Sequence, residues 1–127
     1  MTEELDPFEL PEWVGETAVT WASEAGLRGH LVAGLLTGAP DLVLPCDLLA
    51  VDQAYPAPVV EADVRARAHQ VWQHGQVLLV LHEGRATVAT PGTAYGADDV
   101  LEAFTRLARA VGADPARWSV RLSLALD

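Results

Sequence analysis

The stretch Pro45-Cys46-Asp47-Leu48-Leu49-Ala50-Val51-Asp52-Gln53-Ala54-Tyr55-Pro56 gathers a thiol, two carboxylates and a phenol. A thiol can serve as a nucleophile, a carboxylate as a general base or acid, and a phenol as a proton donor. The spacing restrains that reading. On an extended strand Cys46, Leu48, Ala50 and Asp52 share one side and Asp47, Leu49 and Val51 the other, so Cys46 and Asp47 do not converge without distortion. A catalytic Cys46 also needs a neighbouring His or positive field to become a thiolate. The alternative is a buried structural Cys46. Asp52 and Tyr55 fit the turn that leads into the next helix, Asp52 accepting backbone hydrogen bonds and Tyr55 packing on the helix start. An Asp52 buried without such bonds would have a raised pKa, which would favour chemistry.

The histidines are His30, His69, His74 and His82. His30 or His82, from adjacent strands, could join Cys46, Asp47, Asp52 and Tyr55 in a small enzyme site. His69 and His74 lie about 140° apart around a helix, and no Cys or His follows at zinc-finger spacing, so no metal is expected. His74 suits a helix C-terminus, where a cation is favoured. Gly26, Gly29, Gly34 and Gly38 match neither the dinucleotide fingerprint nor the P-loop, and the chain has no Lys to touch a phosphate; no cofactor is expected. There is no G-x-S-x-G elbow, and Ser23, Ser119 and Ser123 have no His partner suggested by sequence.

Eight Arg stand against eighteen carboxylates, a net charge of −10. A phosphate backbone is an unfavourable partner for such a surface, so nucleic-acid binding is not expected. Solubility is the simplest reason for the charge, and a basic protein is the partner it suits. The absence of Lys, Ile and Asn points to a GC-rich genome, so Arg for Lys is mutational background before it is chemistry. The single Cys46 cannot form an internal disulfide, and the acidic start lacks the positive charge of an export signal, which together suggest a cytoplasmic protein. The uncharged apolar run at residues 31–36 is far short of a membrane span.

Residues 1–16 carry Glu3, Glu4, Asp6, Glu9, Glu12 and Glu16 among two prolines and read as an acidic, partly ordered tail. Its Phe8, Leu10 and Trp13 could anchor a docking peptide or fold back to cap the domain. Residues 17–127 read as one α+β domain. Turn signals at Ala25-Gly26 and Gly38-Ala39-Pro40-Asp41 suggest a three-stranded meander or hairpin. A helix through Val14, Ala18, Trp21, Ala22 and Ala25 is the competing reading of that region; Val19, Thr20 and Trp21 favour strand.

The second half is more regular. Val60, Val64, Ala68, Val71 and Trp72 fall on one helical face, ended by Gly75. Residues 76–82 and 85–90 flank a Glu83-Gly84 turn as a hairpin. A second helix is expected at about 97–111, with Val100, Leu101, Phe104, Leu107, Ala108 and Val111 inward and Gly112 as its C-terminal stop. From Trp118 onward apolar and polar residues alternate as a half-buried strand. Residues from about 41 to 127 thus read strand, helix, strand, strand, helix, strand, the βαββαβ order of a ferredoxin-like core, with both helices on one sheet face.

An open second face, without an assembled nucleophile and base, favours a noncatalytic binding or regulatory module that pairs as a homodimer. A small enzyme around Cys46, Asp47, Asp52 and Tyr55 is the first alternative. An acidic adaptor or chaperone-like protein that docks a basic partner is the second.

Overall fold

The computed structural model describes residues 2–27, 29–39, 41–52 and 57–122. The first elements are β1 (Glu3–Glu4), α1 (Trp13–Glu16), β2 (Val19–Ser23), β3 (Leu31–Val32), β4 (Gly34–Gly38) and β5 (Leu42–Ala50). Then come α2 (Ala62–Gln73), β6 (Leu78–His82), β7 (Arg85–Thr90), α3 (Ala97–Ala110) and β8 (Trp118–Arg121). All eight strands join one mixed sheet in the order β1-β6-β7-β5-β4-β2-β8, with β3 pairing β5. The chain is an α+β protein.

The meander forms as β2, β4 and β5, paired antiparallel in sequence. Strand prevails over helix at β2, where Val19, Trp21 and Ser23 alternate inward with Thr20 and Ala22 between them. Both long helices end as their glycines suggest: Gly75 and Gly112 follow them at positive φ. The β6–β7 turn has positive φ at both Glu83 and Gly84, the mirror-image geometry that suits the twist of paired strands.

The connections depart from the expected plan. Strand β7 does lie between β5 and β6, as the split arrangement requires. However, β5 runs parallel to β7 while β6 runs antiparallel to it, so the strands that α2 joins run in opposite directions. The chain leaves β5 near Ala50, opposite Thr90, and re-enters at Leu78, opposite Ala89, at the same end of the sheet. Strand β8 pairs parallel with β2, with β4 and β2 separating it from β5. A ferredoxin-like core is therefore not specifically shown; the meander strands belong inside the sheet rather than beside a closed unit.

Nor do the helices share one face. Alternation along β5 sends Cys46, Leu48 and Ala50 into the cluster with Val100, Phe104 and Leu107 of α3, whereas Leu49 and Val51 join the cluster with Ala68 and Val71 of α2. Continuous apolar strands such as β5 and β6 are what a sheet covered on both sides needs. Val60 and Val64 pack on the α2 side, but Trp72, near the end of α2, packs on the α3 cluster. Leu101, expected inward, is 50% exposed, because the buried stripe of α3 runs through Val100, Ala103, Phe104, Leu107 and Ala108. The N-terminal segment is also used: β1 extends the sheet, Val14 is buried, and Leu5, Leu10 and Trp13 pack on the α3 cluster.

One break in the sheet organises the α3 core. Val32 opposite Leu48 and Leu35 opposite Pro45 keep a single register, which puts Gly34 opposite Cys46, yet no ladder pair forms there. The Trp21 indole enters the gap and donates to the Cys46 carbonyl at 2.8 Å, while its ring stacks on Phe104 with centroids 4.8 Å apart. It can do so because residue 34 has no side chain: a Cβ there would lie 2.3 Å from Trp21 Cζ2.

We predict that Trp21→Ala costs about 3–5 kcal/mol in urea unfolding. Gly34→Ala should also be strongly destabilising, and the double variant should cost less than the sum because the two residues occupy one space. A Gly34→Ala protein within about 0.5 kcal/mol of wild type, the range of a neutral surface change, would contradict this packing.

Candidate functional site

The residues with chemical potential separate into two polar clusters, and Cys46 belongs to neither. Cys46 is buried with Leu48 and Ala50. Burial first, then the charge of Asp47, push its thiol up to about 12, with Arg85 acting weakly in the other direction. A thiol so held is neutral near pH 7 and a poor nucleophile.

Asp47 lies on the opposite side of β5, only 5% exposed. Arg85, at the start of β7, grips it bidentately, Nε donating to Oδ2 and Nη2 to Oδ1, each at 2.9 Å. The Gly34 amide donates to Oδ1 at 3.1 Å, and Arg85 Nη2 also reaches the Gly34 carbonyl and Glu24 Oε1, both at 3.1 Å. The Asp47 hydrogen bond first, with the carboxylate charges of Asp47 and Glu24, holds the Arg85 guanidinium above its ordinary pKa. This cluster supplies the peptide groups of Gly34 with the partners that the missing ladder pair denies them. A buried polar group left without a partner would be costly, so both carboxylate oxygens are committed.

Asp52 follows β5 and meets the outer side of α2. Oδ1 accepts from Arg65 Nε and sits 2.7 Å from His69 Nε2, and Oδ2 accepts from the Gly92 amide at 2.7 Å. Burial alone would raise its pKa; the hydrogen bonds from Arg65, His69 and Gly92 outweigh it and hold the carboxyl at about 2. Asp52 thus pins the β5–α2 and β7–α3 connections to α2. The sequence places Asp52 in a turn accepting backbone bonds; it gives no sign of Arg65 and His69, which come from a helix packed back on the strand end.

Tyr55 lies outside the described residues. His30 is half-buried, and its carbonyl accepts from the Ala50 amide at 2.7 Å. His82 Nδ1 lies 3.3 Å from Thr2 Oγ1. Neither ring enters the cluster at Asp47 or at Asp52. Tyr95, a phenol with no assigned role in the sequence, is buried against Thr90 Oγ1 at 2.6 Å, and burial raises its pKa. Among the described residues no His, Cys, Asp and Glu group is placed to hold a metal ion, and no helix is long and apolar enough to cross a membrane.

Of the docking candidates, Leu10 and Trp13 are turned into the protein while Phe8 is 75% exposed. Phe8 borders a groove of about 260 Å³ formed with Pro7, Leu10, Pro11, Gly15 and Val111.

Two outcomes test this arrangement. Cys46 in the folded protein should resist iodoacetamide at pH 8 and react on unfolding; rapid native labelling would show an accessible thiolate. Asp52, with its folded pKa depressed from 3.8 to about 2, contributes stability that is complete above the unfolded value and is lost as pH falls through the folded one. Asp52→Asn should therefore flatten the fall in unfolding free energy between about pH 5 and 2, and an unchanged pH profile would contradict the hydrogen-bond assignment. No protein-family model, curated protein or solved structure matches this chain, so its site is defined by its own geometry.

Proposed function

We propose that this protein is a noncatalytic binding or regulatory module that works as a homodimer. The observation that carries the reading is the commitment of the thiol and carboxylates at Cys46, Asp47 and Asp52. Cys46 is sealed in the core, Asp47 is held on both oxygens by Arg85 and Gly34, and Asp52 is held on both oxygens by Arg65, His69 and Gly92. A catalytic base needs a lone pair aimed at substrate, and a nucleophile needs that base within reach.

The pairing surface in this reading is the half of the sheet that α2 leaves open. There Ala22 and Leu35 are half-buried, Pro45 is exposed and Val43 is 57% exposed, with Thr20 and Thr37 alongside them. Thr20 Oγ1 already bonds Ser119 Oγ at 2.9 Å, Arg85 pairs with Asp47 and Glu24, and the exposed Arg121 stands beside Ala22, so two cations balance two carboxylates over this area. The Phe8 groove, lined also by Glu12 and Glu16, supports a second reading as a dock for a basic protein segment.

Light scattering at micromolar concentration should give twice the chain mass of 13.6 kDa, and Val43→Arg should return it to the single-chain value. A wild-type mass of 13.6 kDa at all concentrations would refute the homodimer.

A further inference from the structure

A cavity of about 410 Å³ opens at the β1–β6 edge, where the N-terminal strand, the second half of α2, the Gly75 turn and the end of α3 converge. Small-molecule sites span roughly 300–1,000 Å³. Leu5, Val71, Val77 and Leu79 give the cavity apolar walls, and Arg67, Arg106 and Arg109 stand around them. In a chain of net charge −10, three of its eight cations stand around this one cavity, two of them paired with Glu4 and Glu102.

The three guanidinium groups are held differently. Arg106 is fixed: Nε donates to Glu102 at 2.8 Å, Nη1 donates to the Trp72 and Gln76 carbonyls, and Cζ lies 3.6 Å over the Trp72 ring. Arg67 meets Glu4 of β1 through long contacts of 3.3 and 3.4 Å between half-exposed side chains. An exposed pair of that geometry is weak and readily exchanged. Arg109 is exposed and, among the described residues, has no side-chain hydrogen bond or ion pair.

We propose that this cavity binds a small amphipathic carboxylate. The carboxylate sits between Arg109 and Arg67 and replaces Glu4 on the latter, since a guanidinium pairs bidentately with a carboxylate. The apolar body rests on Leu5, Val71 and Val77, beside Arg106, which its own partners hold in place. Because Glu4 is part of the strand that closes the sheet edge, ligand and strand compete for Arg67. The site is separate from the proposed pairing surface, which occupies the start of β5 with β4, β2 and β8.

Calorimetric titration of the full chain with sodium octanoate, 1-octanol and inorganic phosphate tests the proposal. Octanoate should bind saturably, one per chain, and more tightly than either control, because octanol lacks the charge and phosphate the tail. Arg109→Leu should weaken octanoate by at least about tenfold, the scale of a lost charged contact. Glu4→Gln should strengthen it by removing the internal competitor. An unchanged urea midpoint in Arg109→Leu separates loss of the site from loss of the fold. Octanol or phosphate binding as tightly as octanoate, no effect of Arg109→Leu, or weakened or unchanged binding in Glu4→Gln would overturn the proposal.

Discussion

The structure depends on a gap between two strands. Where Gly34 faces Cys46 the backbone ladder is interrupted, and each freed polar group must find another partner or incur a desolvation cost. From the α3 side Trp21 supplies an indole donor for the Cys46 carbonyl; from the α2 side Asp47 takes the Gly34 amide and Arg85 the Gly34 carbonyl. The break therefore ties β2, β4, β5 and β7 together through side chains. It also explains why a buried carboxylate is present: Asp47 is desolvated but paired with a bidentate guanidinium and an amide, the condition under which a buried charge is tolerated.

The same constraint separates what the sequence reveals from what it hides. Local signals were legible: the glycines after α2 and α3, the Glu83-Gly84 turn, and the period-2 burial of β2 all follow from short-range sterics. The placement of helices on sheet faces was not. Strands β5 and β6 are apolar at successive positions, a pattern that does not say which face receives which helix, and βαββαβ order carries no information about strand direction. β5 and β7 turn out parallel, and α2 returns the chain to the sheet end it left.

The candidate site was legible in composition but not in partnership. The opposed sides of Cys46 and Asp47 follow from strand alternation alone. Asp47 meets Arg85 and Asp52 meets His69 only because distant segments pack together, across 38 and 17 residues of sequence. Two helices on one sheet face would leave the other face bare and favour a dimer. With α2 and α3 on opposite faces, the open area contracts to the start of β5 with β4, β2 and β8 on the α2 side, and the N-terminal segment, which the sequence suggests is a partly ordered tail, packs Val14, Leu10 and Trp13 onto the α3 core.

The central claim is that Asp47 and Arg85 hold the opened sheet together. A double-mutant cycle of Asp47→Ala and Arg85→Ala, read by urea unfolding, measures it directly. The account predicts that each single variant is destabilised and that the pair is coupled by about 1 kcal/mol or more, since removing either partner leaves the other's buried groups unsatisfied. An Asp47→Ala protein as stable as wild type, with no coupling to Arg85, would contradict it.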